Sequence, residues 1–423
     1  MIVKSIAALA LVLAVAVGAL CWFIAGGGIR ERIERDATAW LGRPVRVGDA
    51  TVAFYPRLAL WLEDVRVGEP VRVSLPRADV AAPLEILVSR RFDEAPLDVS
   101  FTAVAGTTTI DAAGTVRLAP RVDATMKARS EHLEAADLVE LVAAFTPAAS
   151  AAPSTPAAPQ ILAEVEAPSA SVAGVGITRL AATVRASGRD VSIEPVTFDA
   201  FGGRHNGWFD AAIGDALEVR LGSSVSNVDA ARLAVFAGAP GAITGRLDAS
   251  MRLGARGRDL ATVLSSLRGA GEVVVTDGVV RGLDLVETVV RFLGRAPQAR
   301  GEAGTPFDRI AGNFAMGDGR VRSDDLTLHS ADFDIFASGT LRFDTEALDG
   351  RAQVVVSEAL SAQAGTAVFR YAQTGNRIVL PAAIAGTLGR PQVRFDTGAA
   401  VRRAVGNEIE RRLRDLLDLT TRF

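Results

Sequence analysis

The sequence predicts a mainly β protein: a long, curved, largely antiparallel sheet forming a groove, with short flanking helices and one N-terminal transmembrane helix. Three observations carry that prediction. Apolar residues recur at every second position through most of the 423-residue chain, as in strands with one buried face. The run Asp277-Gly278-Val-Val-Arg-Gly-Leu-Asp284-Leu285 returns in register as Asp318-Gly319-Arg-Val-Arg-Ser-Asp-Asp325-Leu326. Asp-Gly between apolar runs signals a tight hairpin, so each copy reads as one hairpin of a repetitive sheet. Finally, Ser5 to Ala25 carries no charge, and its roughly twenty residues match a hydrocarbon core about 30 Å thick.

Taken in order, Lys4 precedes the apolar run and a charge-mixed flank (Arg30, Glu31, Arg32, Glu34, Arg35) follows, a bias toward a cytoplasmic N-terminus. The expected arrangement is a single membrane pass with the bulk of the chain outside the inner membrane. A cleaved signal peptide is the rival reading, and Phe23 stands where its cleavage site wants a small residue. Cys21 is the only cysteine, so no internal disulfide can form; a lipoprotein reading fails on Leu20 before it.

Residues 1–28 are therefore the anchor, and 29–145 an N-terminal β-rich region that opens on an amphipathic helix, Ile29–Leu41. Strands follow at Val45/Val47, Leu58/Leu60/Leu62, Val65/Val67, Val71/Val73, Val99/Phe101, Val116/Leu118 and Val122/Ala124/Met126. Arg129–Phe145 changes to a helical period. Residues 146–160, with four prolines among Ala, Ser and Thr, read as a linker. A C-terminal β region, 161–398, comes next. Short helices are expected at Val228–Gly238, Arg258–Leu267 and Asp284–Gly294, the first with Asn227 and Asp229 available to cap it. Asn206-Gly207 reads as a hairpin connection between Val196–Phe201 and Trp208–Ala212. Residues 399–423 form a last amphipathic helix with an arginine-rich side.

Catalytic and metal signatures are missing. The histidines, His132, His205 and His329, have no second ligand at metal-site spacing and read as surface or loop residues. Asp324-Asp325, Asp332/Asp334 and Glu408/Glu410 sit on polar faces, where solvating charge belongs. No enzyme activity, cofactor or metal is expected, and a net charge of −3 argues against nucleic acid. What remains is a surface. In Gly245–Leu253, Leu247, Ala249, Met251 and Leu253 alternate without exception with polar residues. With Val273, Val275, Leu326, Leu328, Leu341 and Phe343 they make an aliphatic wall. A second sheet and helices would cover it, or an acyl chain would lie against it.

Several stretches resemble the AsmA family of bacterial envelope proteins. At the N-terminal side these are Leu41-Gly-Arg-Pro-Val45-Arg-Val47, Pro56-Arg-Leu58 and Leu62-Glu-Asp64-Val65-Arg-Val67. Downstream they are Phe201-Gly202-Gly203, Val225-Ser-Asn227-Val228-Asp229, Ile243-Thr-Gly245-Arg-Leu247, Leu264-Ser-Ser-Leu267-Arg-Gly269, Thr305-Pro306-Phe307-Asp308 and Gly386-Thr387-Leu388-Gly-Arg-Pro391. The resemblance implies a periplasmic β-groove that holds or conducts phospholipid acyl chains in support of outer-membrane homeostasis. It brings no catalytic residues. The other reading is a scaffold or regulator of outer-membrane protein assembly that binds an envelope protein partner.

Overall fold

A computed structural model describes residues 28–53, 57–83, 95–118, 122–144, 160–172, 174–281, 287, 304–362, 373–374, 377–387 and 389–395. They form two compact units: residues up to 200 with 204–221, and residues 201–203 with 222 onward. Both are mainly β, with largely antiparallel sheets and a few short helices. The expected anchor, Asp284–Gly294 apart from Glu287, and the last helix at 399–423 lie outside the described residues. Among the described residues no helix is long and apolar enough to cross a membrane.

The first unit begins with α1 (Ile29–Leu41), which buries Ile33, Ala37 and Leu41, one side at four-residue spacing. Two of its polar side chains reach β1 (Val45–Arg46): Val45 N–H donates to Thr38 Oγ1 (3.0 Å) and Val47 N–H to Glu34 Oε1 (2.7 Å). Backbone donors that edge-on pairing would otherwise require are thus satisfied by the helix. β1 and β2 (Asp49–Ala53) both pair with β3 (Leu58–Val67), and β4 (Val73–Ala82), β5 (Leu97–Ala105), β6 (Thr108–Arg117) and β7 (Asp123–Arg129) follow, each antiparallel to the one before. Val71 is left 53% exposed in the turn ahead of β4, not in a strand.

Here the meander changes. β8 (His132–Glu134) and α2 (Ala135–Ala144) precede β9 (Gln160–Val172), which runs parallel to both β7 and β8. The helical period expected from Arg129 begins only at Ala135, because His132–Glu134 pairs with Ser169–Ser171 first. Gln160, expected in the linker, opens β9, so the sheet resumes directly beside β7. β10 (Val175–Ser187) and β11 (Asp190–Ala200) complete an antiparallel run. Inward residues line up across strands: Val52, Leu60, Val80, Val99, Gly114, Met126, Ala163, Val184 and Ile193 form one continuous row.

β12 (Gly203–Ile213) and β13 (Leu217–Asp229) contribute residues to both units. The turn before β12 is Phe201-Gly202, with φ of 52° and 79°, while Asn206-Gly207 lies inside the strand. The hairpin expected at Asn206-Gly207 is therefore misplaced. Positive φ at two successive residues defines this turn, and Phe201 accepts it despite its side chain.

The second unit contains α3 (Ala230–Phe236), capped as expected by Asp229, whose carboxylate accepts from Ala231 and Arg232 N–H. β14 (Arg246–Gly257), α4 (Leu260–Ser265), β15 (Arg268–Val280), β16 (Thr305–Gly317), β17 (Arg320–His329), β18 (Phe333–Arg342) and β19 (Leu348–Val356) follow. After α5 (Glu358–Ser361) and the two-residue β20 (Gln373–Thr374) come β21 (Arg377–Thr387) and β22 (Arg390–Phe395). Pairing is antiparallel throughout, β14 to β19 in sequence and then β21 and β22.

Only one of the two Asp-Gly copies is a hairpin. Asp318-Gly319, with φ of 52° and 71°, joins β16 to β17. Asp277-Gly278 lies within β15, and its positive φ of 53° belongs to a bulge. Arg246 faces Thr276 and Ile243 faces Val280, so β15 carries one residue more than its partner between the two pairs. A left-handed residue inside a strand leaves the same local trace in a sequence as a turn.

Candidate functional site

In the second unit the inward face is built of rows read directly from the register. The first runs Leu247, Val275, Ile310, Leu328, Ile335, Val354, Leu380 across seven strands. It is closed: Val275, Leu328, Ile335, Val354 and Leu380 are buried with Phe307, Phe333 and Ala230 of α3, and Leu360 of α5 packs against them. Another row runs Leu253, Gly269, Met316, Val321, Leu341, Leu348 across β14 to β19. All six of its residues are only half-buried. Neither row contains a charged side chain. One end of the inward face is therefore packed shut, and the other is an apolar wall left partly uncovered.

Glycines keep that wall flat. A Cβ on Gly271 would stand 2.6 Å from Phe314 Cζ, and one on Gly269 the same distance from Leu253 Cδ2. The large neighbours occupy the space that a side chain would take, lying along the sheet. Leu326 is close enough to Gly312 to do the same.

The residues expected from sequence divide accordingly. Leu247, Ala249, Met251, Leu253, Val273, Leu326 and Leu341 are half-buried on the inward face, whereas Val275 and Leu328 are buried in the closed row. Phe343 lies one residue beyond β18 and is 48% exposed; its N–H donates to Gly319 O (2.9 Å). Phe314, Met316 and Val321 complete the wall and Ile310 the closed row; none of the four was among the residues expected from sequence. Their signal was present, since Ile310, Gly312, Phe314 and Met316 alternate, but reading both Asp-Gly pairs as turns drew attention from the strand between them.

The polar groups have local structural partners. Asp324 pairs with Arg322 (2.9 Å). Asp325 closes a bulge where β17 carries one extra residue, accepting from Asn313 N–H (2.8 Å) and Nδ2 (2.6 Å). Those donors hold its carboxyl below the usual range. Asp334 is pushed up by burial, yet His329 Nδ1 (2.9 Å) and Arg377 Nη2 (2.7 Å) outweigh that and lower it. His205 sits in β12, stacked on Phe198 at 4.2 Å, and burial lowers its pKa; it is neither a loop nor a fully exposed residue. Among the described residues no group of three or more His, Cys, Asp or Glu is placed to hold a metal ion.

The first unit shows its own gradation. Leu60, Val80 and Val99 in β3 to β5 are fully buried, while Val184 and Ile193 in β10 and β11 are half-buried. A cleft of about 900 Å³ lies nearby, lined by apolar residues such as Ala124, Ile161 and Val191 together with Arg185, Arg220, Asp190 and Asp210, so it is of mixed character where the wall of the second unit carries no charge.

Residues 122–326, from β7 through most of β17, match the AsmA family. This stretch, just under half of the chain, is an AsmA-family region. No curated protein and no solved structure gives a match. The stretch matched includes β14, β15 and β16, whose inward residues make most of the half-buried wall, so the AsmA-family region and the open apolar surface overlap. The match suggests a function connected with the cell envelope.

Proposed function

We propose that this chain is a non-enzymatic envelope protein that holds or conducts phospholipid acyl chains along the inward wall of β14 to β19. The observation that carries the reading is the half-buried row Leu253, Gly269, Met316, Val321, Leu341, Leu348. Six strands at about 4.8 Å spacing span roughly 24 Å, more than the ~15 Å of hydrocarbon in one leaflet, so one tail fits along it. Each methylene taken from water contributes about 0.8 kcal/mol without any directional contact. A wall with no donors binds tails of many kinds and leaves head groups unselected. Residues 5–25 would hold the chain in the inner membrane with its bulk in the periplasm, placing the wall between the two membranes and linking it to outer-membrane lipid homeostasis.

The test uses a photoreactive side chain at Met251, on the wall, and at Arg252, on the opposite side of the same strand. Irradiation in cells should attach phospholipid at position 251 and little or none at 252. Equal labelling at both, or none at 251 in a folded protein, removes the reading. Met251→Asp should abolish lipid recovery, whereas an envelope scaffold would keep its protein partner in that variant.

A further inference from the structure

The outward side of the first unit departs from its own pattern in one place. β3 turns Leu58, Leu60 and Leu62 inward, so Ala59 and Trp61 face out, and Trp61 is the one large apolar side chain among the small and polar residues that β2 and β4 present there. Trp61 is 40% exposed. Its cross-strand neighbours are Thr51 and Asp79. Beside it the outward row Ala53, Ala59, Ala81 crosses β2, β3 and β4 and ends on Asp98 of β5. Methyl groups where larger side chains would stand leave a hollow of about 490 Å³, with Trp61 as part of its lining. That size lies within the range of small-ligand sites.

The rim decides what fits. Arg57 Nη1 stands 3.6 Å from Asp98 Oδ2, and Arg77 Nε 2.9 Å from Asp79 Oδ2. Each guanidinium is balanced by a carboxylate, so the hollow has no net charge with which to select an ion. Hydrocarbon is equally disfavoured, since it would take both ion pairs out of water with nothing in return. What remains complementary is an uncharged ligand with one apolar C–H face and closely spaced hydroxyls. An aromatic plate offers area to the first, and guanidinium forks and carboxylates bond pairs of adjacent hydroxyls. The geometry points to a saccharide site on the outward face of β2 to β6, in which an uncharged pyranose ring of a glycan stacks on Trp61 and hydrogen-bonds to Asp79 and Asp98. This site is on the opposite side of its strands from their inward row and does not depend on acyl-chain binding.

The full chain in phosphatidylcholine nanodiscs, free of sugar-headed detergent, is titrated with cellohexaose, maltohexaose and N-acetylchitohexaose by calorimetry. At least one should bind, Trp61→Ala should weaken it about tenfold or more, and Trp61→Tyr should restore most of the affinity. If Trp61→Ala does not fold, Asp98→Asn, at an exposed position, must weaken the same sugar. The site is overturned if none of the three binds the unaltered chain, if binding survives both Trp61→Ala and Asp98→Asn, or if a sulfated hexasaccharide binds more tightly than the neutral ones.

Discussion

β3 to β5 in the first unit and β14 to β18 in the second use the same device with opposite outcomes. Each turns apolar side chains one way at every second residue, and each aligns them into rows across neighbouring strands. In the first, α1 supplies Ile33, Ala37 and Leu41 to the same cluster as Leu60, Val80 and Val99, and the row is fully buried. In the second, Ala230 of α3 and Leu360 of α5 join the cluster that holds the row ending on Leu380, and the row from Leu253 to Leu348 stays half-buried. Alternation therefore says which side of a strand is apolar, not what covers it. Covering is decided by the helices between strands and by where they dock.

The sharpest way to break this contrast is to remove equal volumes from both. Leu60→Ala opens a cavity in a closed core and should cost about 2–5 kcal/mol, because the surrounding residues relax only partly. Leu253→Ala removes the same atoms from a side chain already half in contact with solvent and should cost under about 1 kcal/mol. Hydrogen exchange resolves the units separately, which a single melting curve does not. Equal losses at the two positions would mean that the wall is as closed as the core.

A smaller effect tests how the covering is held on the first unit. Asp137, in the first turn of α2, accepts through Oδ2 from Thr107 N–H (2.9 Å), Thr107 Oγ1 (3.1 Å), Thr108 N–H (3.0 Å) and Thr108 Oγ1 (2.9 Å), tying the helix to the turn between β5 and β6. Partial burial raises its pKa, but these donors outweigh burial and hold the carboxyl below the ordinary value. A lowered folded-state pKa means stabilisation that is fully present above the unfolded value near 3.9 and lost as pH falls through the folded one. Asp137→Asn should cost on the order of 1 kcal/mol at neutral pH and flatten the fall in stability below about pH 4. An unchanged acid limb would show that α2 is held by its apolar side alone.

These two regions also explain how much could be read in advance. Strand direction and facing were legible, since Leu58, Leu60, Leu62 and Leu247, Ala249, Met251, Leu253 all point as their period requires. The amphipathic helix at Ile29–Leu41 and the cap at Asp229 were legible for the same local reasons. Asp277-Gly278 and Asn206-Gly207 were not, because positive φ serves a bulge as readily as a turn, and only the neighbouring strand shows which. The parallel pairing of β7 with β9 was hidden too: register between strands separated by a helix and a linker leaves no periodic mark. The same limit applied to the wall, where Val275 and Leu328 differ from Val273 and Leu326 only in what lies above them. Trp61 was overlooked because it interrupts an alternation that the leucines around it satisfy.

The smallest effect fixes where the wall ends. Phe343 continues the alternation of Leu341, yet β18 stops at Arg342 and the ring is 48% exposed. Its backbone is held by the bond to Gly319 O, which any residue can make, so the side chain adds little to folding. Phe343→Ser should change stability by no more than about 0.5 kcal/mol. Lipid attachment from position 251 should also be unchanged, because the last inward row is the one through Leu341 and Leu348. Leu341→Ser, two residues earlier, should reduce attachment, since it places a hydroxyl in that row. If Phe343→Ser reduced attachment as much as Leu341→Ser, hydrocarbon would be reaching past the end of the strand, and the boundary of the wall would be set by exposed aromatic area, not by the cross-strand register.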